Sequence, residues 1–340
     1  MPLADVLPQV WSGIGPLFKR SMLVEISSDA ENKENAALAA WAAERERIAC
    51  GVHWISPAGP RRRWRTRVFT AGVKLFATAL RLTSLYERGR RNALTPALVA
   101  LELRFPTLPA AFDGYRILHL SDTHLDALPE LAPIARNMLS DVEVDLLALT
   151  GDVLAAHDAP PRRAVEPLAH ALEGLVVHDR RLAVLGNHDP VAMVEALEKI
   201  GFEVLLNRSV RLDRGEDRIA VTGLDDVHQF YTQAAHAALF DGSADGGFRI
   251  ALIHSPEMAD YADAAGVSLY LCGHTHGGQI CLPGGRLLIT RLTRCRHAAS
   301  GLWRQVRTVG YTSRGLGSSA PTLRFNCPGE ITLITLRSGP

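Results

Sequence analysis

The sequence predicts an α/β fold in which helices cover a buried sheet, and two patterns carry that expectation. Residues 116–121, 145–150, 181–186, 249–253 and 268–272 are dominated by Ile, Leu, Val and Ala without the alternation of a half-wet sheet, which reads as buried strands. Segments 130–140, 161–177 and 190–200 lie between them with helical spacing of apolar residues, so strands and helices alternate along the chain. A third observation concerns chemistry. Each apolar run ends on side chains able to bind a metal: Asp122 and His124 in ILHLSDTH, Asp152 in LLALTGD, Asn187 in LAVLGNHD, His254 in IALIHS, and His274 with His276 in LYLCGHTH. In folds of this kind the loops at the carboxyl ends of strands build the site, and all seven residues fall there.

Taken from the amino terminus, the chain divides near residue 112. Residues 1–112 read as a helical extension and 113–340 as the domain that carries the chemistry, with LPAAFDGYRI a Pro/Gly-marked entry into its first strand. At 340 residues and 47% hydrophobic content the chain can bury a sizeable core, and length alone allows two domains. Within the extension, AALAAWAAERERIA at about residues 36–49 predicts an alanine-rich helix able to pair with the next one.

From Arg61 to Arg91 there are ten basic residues and one acid, a local +9 in a protein whose net charge is +1. Arg67, Lys74, Arg81 and Arg88 recur every seven residues, while Phe69, Val73, Phe76 and Leu80 follow 3–4 spacing on the far side, which makes a basic amphipathic helix. Such a helix suits an anionic membrane surface. Docking onto its own domain or onto a second subunit is the alternative, so the oligomeric state stays open. Nucleic acid is not expected, because Trp64 has few aromatic companions for stacking bases. No run reaches the ~18–20 uninterrupted apolar residues that span a bilayer. The opening MPLADVLPQVWSGIGPLFKR lacks the basic start and small-residue cleavage site of a secretory signal. Five cysteines, odd in number and without metal-ligand pairing, agree with a reducing compartment. The expected location is the cytoplasm, peripheral on the inner face of the cytoplasmic membrane.

Carboxylate, imidazole and amide oxygen form a hard to borderline donor set, which suits Mn, Fe or Zn and argues against a thiolate site. A single Asp-x-His or Gly-Asp at a strand end is usually a turn or a cap. Five such blocks in this order are the signature of a two-metal hydrolase for phosphate esters. Asp152 is the natural bridge, because a carboxylate can give one oxygen to each of two metals ~3.5–4 Å apart. Two cations so held would clamp the phosphoryl oxygens and acidify a shared water, the nucleophile.

With those residues in place, residues 114–340 resemble the calcineurin-like metallophosphoesterase superfamily. The resemblance implies a four-layer αββα sandwich. It implies a first divalent metal on Asp122, His124, Asp152 and His276, and a second on Asp152, Asn187, His254 and His274. It further implies that His188 in GNHD is the catalytic histidine, donating a proton to the leaving oxygen or stabilising the phosphoryl charge, with Asp189 orienting it. LYLCGHTHGGQI and GYTSRGLGSSAPTLRFNCPGEITLITL are similar to a bacterial branch of small membrane-associated phosphodiesterases, from which Cys281 and the stretch 286–304 depart. Members of the wider superfamily cleave nucleotides, phospholipid head groups and UDP-2,3-diacylglucosamine, so the resemblance predicts the bond better than the substrate.

For substrate, Arg208 and Arg314 are expected to grip the non-reacting phosphate, with Asn207 beside them, because a guanidinium binds phosphate bidentately. A structural salt bridge is the competing reading for each arginine. His119 is expected as a core histidine, His157, His178 and His236 as surface residues, and Cys272 as a small apolar filler. The expected function is hydrolysis of a phosphodiester or pyrophosphate in an amphipathic or lipid-linked substrate, such as UDP-2,3-diacylglucosamine or a phospholipid. A nucleotide phosphodiesterase and a non-catalytic membrane- or partner-binding scaffold are the alternatives.

Overall fold

A computed structural model describes residues 35–49, 71–72, 75–241 and 247–339. The chain separates into two compact units, residues 1–51 and 52–340. In the first, residues 35–49 are helical, where the alanine-rich run predicts a helix, and Glu44 pairs with Arg47 one turn on. Of the basic amphipathic helix, residues 61–70, 73 and 74 lie outside the described residues. Its remainder is broken: residues 75–81 are helical, a turn occupies 82–84, and a separate helix follows at Leu85–Ala93. Among the described residues no helix is long and apolar enough to cross a membrane.

Among the described residues the second unit contains two six-stranded sheets. In chain order their strands are β1 (Ala97–Phe105), β2 (Arg116–Leu120), β3 (Glu143–Thr150), β4 (Val176–Val184), β5 (Glu203–Val204), β6 (Arg208–Arg214), β7 (Asp217–Gly223), β8 (Arg249–Leu252), β9 (Leu269–Cys272), β10 (Gly301–Arg304), β11 (Val309–Thr312) and β12 (Glu330–Ser338). One sheet runs β1-β12-β2-β3-β4-β5 and the other β10-β11-β9-β8-β7-β6. The strand β1 stands on the amino-terminal side of the boundary expected at residue 112. It nevertheless pairs along its whole length with β12, Ala97 opposite Glu330 and Phe105 opposite Ser338, so residues 97–105 are an edge of the first sheet.

The two sheets share one apolar layer. Ile117, Leu146, Leu182 and Val184 from the first sheet meet Val221, Ile250, Leu252 and Leu269 from the second, all buried. Each such side chain contributes about 1.5–3 kcal/mol by leaving water. Helices cover the outer faces. Leu131, Ala135 and Leu139 bury one stripe of the helix Leu131–Leu139, and Ala164, Val165 and Leu168 one stripe of Arg162–Ala171. Outside the second sheet, Ala235, Leu239, Ala259 and Ala262 pack with Ala251, Ile253 and Tyr270. Helix, sheet, sheet and helix thus form the expected four layers.

Strand direction positions the site. The pairs β2–β3, β3–β4, β7–β8, β8–β9 and β9–β11 are all parallel. The carboxyl ends of each parallel set therefore lie along one edge of its sheet, and the loops leaving β2, β3, β4, β8 and β9 carry the candidate ligands.

Candidate active site

The site is assembled from short loops with unusual backbone. Asp122, His124, Asp152, His274 and His276 have φ of 47°, 41°, 53°, 71° and 52°, the left-handed region that costs a residue with a Cβ about 1–2 kcal/mol. They are five of the eleven non-glycine residues with positive φ among the described residues, so strain concentrates here. Two glycines permit the close approach. A Cβ on Gly273 would lie 1.9 Å from Ser121 Oγ and 2.1 Å from Asp122 Oδ2, and one on Gly186 would lie 2.1 Å from Asp152 Oδ1.

Two buried clusters result. Asp122, His124 and His276 form the first and Asp152, His254 and His274 the second, ligand atoms within each lying inside 4.8 Å of one another. In the first, His124 Nε2 is 3.3 Å from His276 Nε2, which is 3.4 Å from Asp122 Oδ1. In the second, His274 Nδ1 is 3.3 Å from His254 Nε2 and 3.0 Å from Asn187 Oδ1, and His254 Nε2 is 3.3 Å from Asp152 Oδ2. Donor atoms on a cation with bonds of about 2.0–2.2 Å sit at about this spacing from each other.

The hydrogen bonds set the direction of the rings. His124 Nδ1 donates to the Leu154 carbonyl at 2.9 Å and His254 Nδ1 to the Thr150 carbonyl at 2.7 Å, which turns both Nε2 atoms inward. Asp122 Oδ1, buried at the centre of the first cluster, has no hydrogen-bond partner. A cation satisfies these groups together, so the residues fit two divalent metals.

Electrostatics describe the same cradle from the proton's side. Burial, then the charge of Asp152, raises the Asp122 carboxyl to about 6. Burial opposes ionisation of Asp152 too, yet His254 and His188 hold it well below the usual carboxylate range. Burial alone would depress His254, but Asp152, its hydrogen bond and Asp122 lift it to about 10. Burial, reinforced by neighbouring imidazoles, holds His274 and His276 well below the ordinary histidine value. In the metal-free protein a proton on His254 thus balances carboxylates that a cation would otherwise balance.

His188 lies beside this cradle. Its backbone N–H donates to Asp152 Oδ1 at 2.9 Å, its Nδ1 to the Ala155 carbonyl at 2.7 Å, and its Nε2 stands 4.0 Å from Asp152 Oδ2. Asp189, expected to orient this histidine, accepts from the backbone N–H groups of Val153, Leu154 and Gly186, bracing the loops on either side of the ring. The Ala155 carbonyl holds the ring itself. His157, expected at the surface, is exposed and stacks on His188 with ring centroids 4.1 Å apart.

The clusters open into a cavity of about 400 Å³ lined by Asp152, Asn187, His188, His274 and His276, with Phe76, Ile280, Leu288, Ile289 and Pro321 on its walls. Neither expected phosphate-gripping arginine is in its lining. Arg208 pairs with Glu203 at 3.0 Å and, with Asn207, lines a separate cavity that has no residue in common with this one. The side chain and backbone N–H of Arg314 are both taken by Glu330, a fully buried carboxylate that needs a cation beside it. The structural salt bridge therefore describes both arginines. Among the described residues the cation in the cavity lining is Arg291.

Sequence reasoning missed further residues. His228 places its ring 4.3 Å from that of His274 and donates from Nδ1 to buried Glu257 at 2.6 Å. Nothing local marks it, since its partners lie 29 and 46 residues away. The SRGLG tail motif proves to be a brace: the N–H groups of Leu316 and Gly317 bond the carbonyls of Ser121 and Asp122 at 3.0 and 2.9 Å. Fully buried Arg324 ties that loop to the other, donating to the carbonyls of Gly317 and His276.

Comparisons with known proteins agree with this geometry. The sequence pattern of the calcineurin-like phosphoesterase family matches residues 115–278. The chain is similar to an uncharacterised metallophosphoesterase, YkuE of Bacillus subtilis, at 32% identity over 68% of this chain and 82% of that one. It is similar to the Escherichia coli phosphodiesterase YaeI at 27% identity over 65% of this chain and 82% of that one. It is also similar to the UDP-2,3-diacylglucosamine pyrophosphatase LpxG of Chlamydia muridarum at 26% identity over 72% of this chain and 91% of that one. With the matched region carrying both donor clusters inside an αββα frame, the chain belongs to the calcineurin-like metallophosphoesterases and is a metal-dependent phosphoesterase.

Proposed function

We propose that this phosphoesterase cleaves a phosphodiester or pyrophosphate bond in an amphipathic, lipid-linked substrate at the inner face of the cytoplasmic membrane. One observation carries the reading: a polar, histidine-rich floor and an apolar wall of Phe76, Ile280, Leu288, Ile289 and Pro321 belong to one cavity. A substrate with a phosphate at one end and hydrocarbon at the other matches both surfaces. The similarity to LpxG supports the sugar-nucleotide lipid UDP-2,3-diacylglucosamine as a candidate, with phospholipids as the other.

The residues divide the work. Asp122, His124 and His276 would hold one divalent metal and Asp152, His254 and His274, with Asn187, the other, Asp152 bridging to the first as the family resemblance implies, with Mn, Fe and Zn all suited to the donors. Such metals, when bound, neutralise phosphoryl oxygens and activate water. His188 is the proton donor to the leaving oxygen. Its Nδ1–H is committed to Ala155, which fixes the ring and leaves Nε2 to carry the proton toward the substrate. Arg291 holds the non-reacting phosphate, and His157 limits the swing of His188 by stacking on it.

Hydrolysis of a panel tests the reading: bis-p-nitrophenyl phosphate, p-nitrophenyl phosphate and UDP-2,3-diacylglucosamine, with Mn-loaded full-length protein. Turnover of the diester and much faster release of UMP from the sugar lipid are expected. Diester turnover without UMP release would move the search to phospholipids and nucleotides. Preference for a water-soluble nucleotide over every lipid would overturn the amphipathic reading.

A further inference from the structure

We propose that two exposed segments flanking the cavity mouth, residues 75–85 and 282–291, together form an insertion surface for an anionic phospholipid bilayer. The proposal rests on the amphipathic-substrate reading, with which it shares Phe76, Leu288 and Ile289, and adds residues outside the cavity lining. Leu75, Phe76, Leu82, Leu85, Leu282, Leu287, Leu288 and Ile289 are eight of the thirteen exposed large hydrophobic side chains among the described residues. Leu82 is 86% exposed and Leu75 73%, and it is their grouping with the other six, rather than exposure alone, that sets them apart from single surface aliphatics. The two segments lie almost 200 residues apart in sequence, yet Phe76 from one and Leu288 with Ile289 from the other line the same cavity. Every residue from Leu282 to Ile289, in LPGGRLLI, is exposed.

Charge chooses the occupant. Residues 75–91 carry four arginines and one glutamate, and residues 279–296 four arginines and no acid, a net +7 in a chain whose total is +1. Glu130 and Asp260, which pair with Arg90 and Arg294, reduce that to +5. Arg81, Arg88, Arg91 and Arg286 are exposed among the aliphatic side chains. Aliphatic residues ringed by arginines suit the boundary between acyl chains and anionic head groups. A second copy of the chain fits poorly, because an isologous contact sets this patch against itself, like charge on like charge. On a bilayer the patch would bring the cavity mouth to the level at which an amphipathic substrate presents its phosphate.

Flotation of the full-length chain with vesicles tests this, using phosphatidylcholine alone and phosphatidylcholine doped with phosphatidylglycerol. The wild type is expected to float with the anionic vesicles only. The variant L82S/L282S changes two exposed residues outside the cavity lining, and its partitioning is expected to fall about tenfold or more, given the apolar area withdrawn from the bilayer. Its hydrolysis of bis-p-nitrophenyl phosphate should match the wild type, which reports an intact fold and keeps this outcome separate from failure of the catalytic reading. Equal flotation of variant and wild type would overturn the proposal. So would a wild type that hydrolyses the diester yet floats with no vesicle, or light scattering that finds a dimer which L82S/L282S dissociates.

Discussion

The floor and the rim of the cavity follow opposite rules. The floor is largely buried, and five of its seven candidate ligands stand in left-handed backbone, with Gly186 and Gly273 where a Cβ would collide. The rim is exposed, and its aliphatic side chains at 75–85 and 282–289 are ordinary residues left in an extraordinary place. In the floor many polar atoms are held by a carbonyl or an amide or face a position that a cation would fill, while His274 Nε2 and His276 Nδ1 have no hydrogen-bond partner. At the rim little is fixed by internal contacts. Chemistry demands positions accurate to fractions of an ångström, whereas partition into a lipid surface demands only area and charge. Substitutions in the two regions should therefore differ in kind.

The largest effect is expected at Asp152, the carboxylate proposed to bridge the two metals. Asp152→Ala should abolish diester hydrolysis and lower the metal recovered with the protein, read by elemental analysis beside the activity assay. Next comes His188→Ala, which should keep the metal and cost about 10²–10⁴ in kcat. The loss should be smaller for p-nitrophenol than for an alkoxide leaving group, because the better leaving group needs less protonation; equal losses for both would argue against a proton donor at Nε2. A backbone change in the floor should act on stability: Gly273→Ala inserts a methyl 1.9 Å from Ser121 Oγ. The expected loss is about 1–3 kcal/mol, measurable as a drop in thermal midpoint, with metal affinity falling in parallel.

A smaller effect is expected from pH. Burial depresses His119 from 6.5 to about 3 in the folded protein, where its Nε2 sits 2.8 Å from Thr150 Oγ1. A histidine with a lowered folded value stabilises above its unfolded value and loses that contribution as pH falls. Stability should therefore decline between about pH 6.5 and 3, and His119→Gln should flatten that part of a denaturant-midpoint profile.

The contrast also explains what could be read from the sequence. The floor was legible because buried parallel strands are continuous apolar runs, and a ligand must follow each within a few residues. Strand β1 was missed because it is an edge strand: its burial alternates, Glu102 and Arg104 point outward, and its partner β12 is some 230 residues away. The expected roles of Arg208 and Arg314 came from chemistry alone. Both have carboxylates nearby that only the fold reveals, Glu203 and Glu330. Of the rim, residues 75–85 were legible as part of a basic amphipathic pattern, whereas 282–289 left no signature, since LLI in residues 287–289 is indistinguishable in sequence from a short buried strand, and exposure is a property of the fold.

The most direct test of the central claim is a titration of metal-free full-length protein with Mn²⁺, following bis-p-nitrophenyl phosphate hydrolysis and bound metal together. Hydrolysis should rise to a plateau as two equivalents bind, and His188→Ala should bind the same two with little turnover. Two equivalents bound by the wild type without hydrolysis of any diester would contradict the account and leave the metal cradle as a scaffold.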